Sequence, residues 1–307
     1  MLESKFFICY NPWDESTRME DHIEGMADMI KRLDADGVVL DTKGSSSKEL
    51  QEGADSVREG VIMYSEGMAV PKDMQGIVSG RVHNALYYPP LLNLNKFIKP
   101  DFAIFRVAEV AFERLRREYA TSFFNGYGTE LNIFRPGSPE WMEDDYRFFG
   151  QTLRILRENT SNFVHDEYTP LVPTREDEIY VNKWPKGEKT IYTIFSIIPQ
   201  GYNDALFEVK PEKNFHFVDL WNHKEATIDT IDGAYFARAD ISGFDKQWLG
   251  TNNEGAIGAI AKLPKVLKVN LNSDELSFSA DRGDKIKIFA GRPDYEKTPE
   301  EYGIGDH

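Results

Sequence analysis

A single cysteine, Cys9, rules out an intrachain disulfide, and its place inside the apolar run "FFICY" predicts a buried, inert thiol. No stretch of about eighteen consecutive apolar residues occurs, so nothing reads as a membrane-spanning helix. The opening "MLESKFFICYNPWDEST" lacks the basic-then-apolar build of a secretory signal, so the chain as given reads as soluble, and as cytoplasmic if it is complete. Basic residues are in deficit: 36 Lys and Arg face 51 Asp and Glu, a formal charge of -15. A field of that sign repels phosphate backbones and anionic lipid surfaces, which sets nucleic acid and membranes aside as partners.

Several signatures are also missing. There is no GxGxxG after a strand, no GxxxxGK[ST] (the stretch "KGSSSKEL" only mimics one), no HExxH, no cysteine cluster and no GxSxG elbow. Dinucleotide, nucleoside triphosphate, zinc and serine-nucleophile chemistry are therefore without support, and neither cofactor nor metal is expected. "NTS" at Asn159 matches a glycosylation acceptor but, without a secretion signal, carries no weight.

What is present is a chain of 307 residues with 41% hydrophobic content, enough for one large domain or two ordinary ones. Aromatics make up 13% of it; aromatic faces beside carboxylates suit neutral, polyhydroxylated ligands, although aromatics also simply fill cores. The first half alternates strand-like runs with helical patterns. "KFFICYN" (5–11), "GVVLD" (37–41), "GVIMYSE" (60–66), "DFAIFRV" (101–107) and "SFFNGYGTELNIF" (122–134) read as strands. Between the first two, Thr17 and Glu20 form a capping box for a helix whose apolar positions Ile23, Met26, Ala27, Ile30 and Leu33 follow the 3.6-residue period. Ser46 with Glu49 opens a second helix, "AEVAFERLRREYA" reads as a third, and Ser138 with Pro139 starts a long one that ends in basic residues. Strands alternating with helices at this spacing imply parallel pairing through helical crossovers.

Near residue 165 the pattern changes to short alternating strands separated by turns such as "PKG", "DG" and "DRGD", the pattern of an antiparallel sandwich. Pro170 and Pro173 stiffen the junction. The expected organisation is an α/β domain over 1–168, an all-β sandwich over 169–292 and a flexible tail over 293–307.

Asp41 closes its strand, and in a parallel α/β sheet the carboxyl ends of strands are where loops gather side chains onto one face. An aspartate there could also cap the next helix, but Ser46 already supplies that oxygen, which leaves Asp41 for another task. Glu66 closes the next strand in the same way, beside Tyr64 and Met68, whose apolar bulk suits a proton donor. Neighbouring strands lie about 4.8 Å apart, close to the ~5 to 5.5 Å between nucleophile and general acid in a retaining glycosidase. A salt bridge from Glu66 to Lys43, Arg81 or Arg106 is the plainer alternative.

An Asp and then a Glu on consecutive parallel strands, with helices and a sandwich behind them, resembles the (β/α)-barrel glycoside hydrolases, especially the α-amylase and α-galactosidase-like groups. The resemblance implies a partial TIM-type barrel followed by an antiparallel sandwich, and a retaining hydrolase acting on a carbohydrate without metal or cofactor. In the amylase-like layout Asp41 is the nucleophile and Glu66 the acid/base; in the galactosidase-like layout the second acid lies two strands further on. A full barrel has eight strands, whereas about five precede the sandwich here, so the chain reads as lacking its first barrel strands. Its first strand, through Phe6 and Ile8, would then be an open edge for a second copy or a complementing chain. The alternative function is a carbohydrate-binding or assembly protein without turnover.

Further candidates lie at strand ends. Asn11, Trp13 and Asp14 in "CYNPWDE" could stack on and grip a sugar, or form an ordinary turn. Arg81 and His83 follow the third strand, where the arginine could orient a carboxylate and a lone histidine is more often structural. Arg106 could act on Asp41, and Glu130 is the reserve acid. Trp184, Trp221 and Trp248 read as sandwich core or, failing that, a carbohydrate platform.

Overall fold

The computed structural model describes residues 6–11, 21–41, 43, 47–66, 71, 74, 78–82, 92, 95–110, 113–133 and 140–281. Residues Phe7–Pro264 form one compact unit, and Met1–Phe6 with Lys265–His307 form a second.

In the larger unit the elements run β1 (Phe7–Tyr10), α1 (His22–Leu33), β2 (Gly37–Leu40), α2 (Lys48–Asp55), β3 (Ile62–Ser65), β4 (Ser79–Val82), α3 (Asn95–Ile98), β5 (Ala103–Val110), α4 (Arg116–Phe124), β6 (Gly128–Ile133), α5 (Met142–Glu158) and α6 (Thr160–Phe163). All the strand pairs among these are parallel and sit in two three-stranded sheets, β1-β2-β3 and β4-β5-β6. The sheets meet where Ser79 Oγ donates to Met63 O at 2.7 Å.

Period-2 alternation decides what each strand offers. Ile8 and Tyr10 of β1, Val38 and Leu40 of β2 and Met63 of β3 are buried with Met26 and Ile30 of α1 and Leu50 and Ala54 of α2. The opposite face carries Phe7, Cys9, Val39 and Tyr64, aligned in rows by the register Phe7↔Gly37↔Ile62 and Cys9↔Val39↔Tyr64. Gly37 is required because a Cβ there would meet Phe7 Cε1 at 2.1 Å; the Phe7 ring lies across that position.

Several sequence expectations need correction. The strand β4 falls where the chain reads as loop, because "SGRV" has a glycine, an arginine and little apolar character. β5 runs on to Val110, so "AEV" is strand rather than helix, and "SFF" at 122–124 ends α4 instead of starting β6. The first helix is capped by Asp21, whose carboxylate accepts from the N–H groups of Ile23 and Glu24, and the second by Ser47 rather than Ser46. Thr17, Glu20, Ser46, Ser138 and Pro139 lie outside the described residues. The strand β1 lies at the edge of its sheet, with the Ile8 side chain turned into the helix-covered core and Phe6 exposed. Asn159, of the glycosylation match, is buried and donates to Ile155 O at 2.7 Å.

The second half is antiparallel: β7 (Ile179–Lys186), β8 (Lys189–Ser196), β9 (Tyr202–Glu208), β10 (Phe215–Asp219), β11 (Lys224–Glu225), β12 (Ile228–Ile231), β13 (Ala234–Ile241) and β14 (Ala256–Pro264). They form a five-stranded sheet, β11-β10-β14-β8-β7, and a three-stranded one, β12-β13-β9. The two sheets enclose Val181, Ile194, Leu206, Phe207, Ala237 and Ile260. The larger sheet is covered on its other side by α4, α5 and α6 through Phe123, Phe124, Ile155 and Phe163. Hence six of the eight residues of β8 are buried on both faces, and its run "IYTIFS" is apolar without strict alternation. Trp184 is core: it is fully buried, stacked on Tyr168 at 4.1 Å, and Nε1 donates to Thr193 Oγ1 at 2.9 Å. Trp221 packs on Phe123 and Phe148, and Trp248 lies against Arg114 and Arg116.

The second unit contains the hairpin β15 (Leu267–Asn272) and β16 (Glu275–Ala280), whose Val269, Leu271 and Phe278 are exposed.

Candidate active site

Asp41 follows the last residue of β2 and Glu66 the last residue of β3, and those last residues, Leu40 and Ser65, are register partners. Asp41 N donates to Tyr10 O at 3.1 Å and Glu66 N to Leu40 O at 3.3 Å, so the backbone hydrogen bonding carries the two acids into adjacent places. Alternation puts both side chains on the face opposite the helices. Ser47 caps α2, and Asp41 Oδ2 accepts from Asn11 Nδ2 at 3.4 Å.

A second cluster adjoins them. The Arg81 guanidinium, with its side chain 8% exposed, lies 3.7 Å from Glu66 Oε1 and donates to Glu130 Oε1 at 3.3 Å. Glu130 Oε2 accepts from the Tyr64 hydroxyl at 3.3 Å. Tyr64 meets Phe105 edge-on at 4.6 Å and lies 6.4 Å from Phe7. Burial, and then the Glu130 charge, raise the Tyr64 phenol far above its ordinary range, so it stays a donor at every physiological pH. Tyr64, Glu66, Arg81 and Glu130, spread over 66 positions of sequence, thus form one polar network across β3, β4 and β6.

Three expectations change here. Cys9 is exposed, not buried, and is on the site face of β1. Its thiol pKa is raised, first by burial of the sulfur, then by the Asp41 charge and a hydrogen bond to Asp41, with a smaller contribution from Glu66. Arg106 does not approach Asp41: it points to the helix side of β5, is 2% exposed and pairs with Glu118 of α4. Glu130 is mid-strand in β6 rather than at a carboxyl end. The face of Cys9 was legible from the alternation Phe7, Cys9, Asn11 against Ile8, Tyr10; the partner of Arg106 was not. Trp13, Asp14, His83 and Met68 lie outside the described residues. Among the described residues no group of three or more His, Cys, Asp or Glu has the arrangement to hold a metal ion. No helix there is long and apolar enough to cross a membrane.

Chemically, two carboxylates side by side at strand ends can attack an electrophilic carbon and move a proton, and the aromatic wall formed by Phe7, Tyr64 and Phe105 can cover an apolar ligand face.

No protein-family model matches the chain, and no curated protein matches its sequence. Solved structures do resemble it. AmyP in complex with maltose superposes with a TM-score of 0.51 at 10% identity, over 83% of this chain and 74% of that one. A cyclomaltodextrinase does so with a TM-score of 0.51 at 12% identity, over 77% of this chain and 48% of that one. An Anoxybacillus α-amylase matches at a TM-score of 0.49 and 12% identity, and the chain spans 63% of its length. The structural neighbours are glycoside hydrolases of amylase type, and at these identities the likeness is one of fold.

Proposed function

We propose that the chain is a carbohydrate-active enzyme on a partial amylase-type barrel, a retaining glycoside hydrolase in which Asp41 is the nucleophile and Glu66 the acid/base. The observation that carries this reading is the register match of Leu40 with Ser65, which sets the two acids on neighbouring strands. That spacing, about 4.8 Å between strands, is of the order of the ~5 to 5.5 Å between the carboxyls of a retaining pair.

In this reading an Asp41 carboxylate oxygen bonds to the anomeric carbon as the glycosidic carbon–oxygen bond breaks, and the Glu66 proton passes to the leaving oxygen. Water then attacks the glycosyl–Asp41 ester, giving its proton to Glu66 and releasing Asp41. Asn11 holds the nucleophile through its 3.4 Å hydrogen bond. Phe7, Tyr64 and Phe105 contact the sugar.

The test is hydrolysis of a panel of α- and β-linked aryl glycosides and maltooligosaccharides by the wild type, Asp41→Asn and Glu66→Gln. Turnover in the wild type that falls roughly a thousandfold or more in Asp41→Asn supports the reading. Saccharide binding without turnover in the wild type replaces it with a binding protein.

A further inference from the structure

We infer that Glu130 and Arg81 are positioning residues for Glu66, dividing one guanidinium between two carboxylates so that the charge Glu66 experiences is set from two strands away. This rests on the proposed function for its catalytic meaning, but the electrostatic division stands on geometry alone. Arg81 is nearer to Glu130, at 3.3 Å, than to Glu66, at 3.7 Å. It is almost fully buried, whereas the Glu130 side chain is 27% exposed and that of Glu66 43%. The cation is thus buried within the sheet while the two acids that pair with it are more exposed.

Glu130 is itself held by the Tyr64 hydroxyl, and Tyr64 by the edge-on contact with Phe105. An anchored Glu130 keeps part of the guanidinium's hydrogen-bonding capacity away from Glu66. The consequence for an acid/base residue is direct: a fully paired carboxylate holds its proton too weakly to donate it, and an unpaired one beside Asp41 too strongly to release it.

The charged and titratable groups around Glu66 include Cys9 on β1, Asp41 after β2, Tyr64 on its own strand, Arg81 on β4 and Glu130 on β6, with Lys43 in the loop after β2. Of the neighbouring strand β5, Phe105 shares this face and carries no charge, while Arg106 is turned to the helices. Arg81 is the cation that the two glutamates share. Neutralising Glu130 and neutralising Arg81 must then move Glu66 in opposite directions, which a merely structural contact would not do.

The experiment is a pH titration of the glutamate side-chain carboxyls by NMR of isotope-labelled protein, with Glu66 identified as the signal lost in Glu66→Gln. Glu130→Gln should move the Glu66 midpoint down, because Arg81 turns wholly to Glu66 and a like charge is gone. Arg81→Gln should move it up, and Arg81→Lys, which keeps the charge, should return it most of the way. Midpoints that stay put in both neutralising variants, or move in the same direction, overturn the inference. The alkaline limb of kcat/KM, measured on the same proteins, separates the two readings. If the NMR midpoints move as stated but the limb does not follow, the division of Arg81 holds and Glu66 is not the acid.

Discussion

Asn11 Nδ2 donates to Asp41 Oδ2 at 3.4 Å, tying the end of β1 to the end of β2 across 30 positions of sequence. The amide holds one carboxylate oxygen of the proposed nucleophile. Asn11→Ala should lower kcat/KM by about threefold to tenfold, the worth of one ordinary hydrogen bond, while Asn11→Asp, which adds a like charge beside Asp41, should cost more. Steady-state kinetics on the glycoside turned over by the wild type checks this; equal activity in all three proteins would remove Asn11 from the site.

Cys9, the only cysteine, is a built-in probe of the same face. Its thiol pKa is raised by burial first and the Asp41 charge second, so Asp41→Asn should lower it and speed reaction with a disulfide reagent at pH 8 by roughly threefold or more. A rate that is unchanged or slower would separate Cys9 from Asp41. The single thiol means that the reagent reports one site without correction.

Lys96 of α3 gives a pH dependence of the opposite kind. Its ammonium is buried, donates to Phe163 O at 2.9 Å and Pro100 O at 3.4 Å, and burial brings its pKa down to about 8. A base whose folded pKa lies below its unfolded one binds fewer protons when folded. Stability therefore rises with pH from about 8 towards the unfolded value of 10.5, and the full penalty applies below pH 8. Tyr192, pushed up to about 12 by burial, works the other way above pH 10, where folding costs more as the unfolded phenol ionises. Urea unfolding between pH 7.5 and 10 in roughly half-unit steps should show a rise in the wild type that is absent in Lys96→Met. Parallel curves for the two proteins would show that Lys96 does not titrate in that window.

The joint between helices and sandwich turns on one carbonyl. Phe124 O, at the end of α4, accepts from Thr193 Oγ1 at 2.8 Å and Asn182 Nδ2 at 3.0 Å, and Thr193 Oγ1 also accepts from Trp184 Nε1 at 2.9 Å. All three side chains are completely buried. Thr193→Val keeps the shape but strands the indole N–H, and should cost about 2 to 3 kcal/mol in urea unfolding. A loss below about 0.5 kcal/mol would mean that the indole finds another acceptor.

Much of the site was legible before any coordinates. The run "GVVLD" is apolar and β-branched up to Asp41, and "VIMYSE" repeats it, so both acids had to close strands one αβ step apart. The serine cap of α2 was readable to within one residue. What was missed shares a physical cause. "SGRV" has too few apolar residues to declare a strand, and forms β4 because Ser79 bonds to the carbonyl of Met63 and Ala103 N to that of Val78, contacts made by distant parts of the chain.

The sequence by itself determined the β-α-β-α-β order from β1 to β3, the two acids at neighbouring strand ends, the change to antiparallel pairing and the net charge that disfavours anionic partners. These depend on local periodicity, composition and short-range capping, which a chain carries wherever its ends go. Only the tertiary structure decided which arginine meets which acid. Arg81 and Arg106 both lie on strands, yet register and sheet face turn the first to Glu66 and Glu130 and the second to Glu118 on a helix. A strand's alternation says that successive side chains oppose each other, and only the packed sheet says which of the two faces is buried under helices and which is left for chemistry.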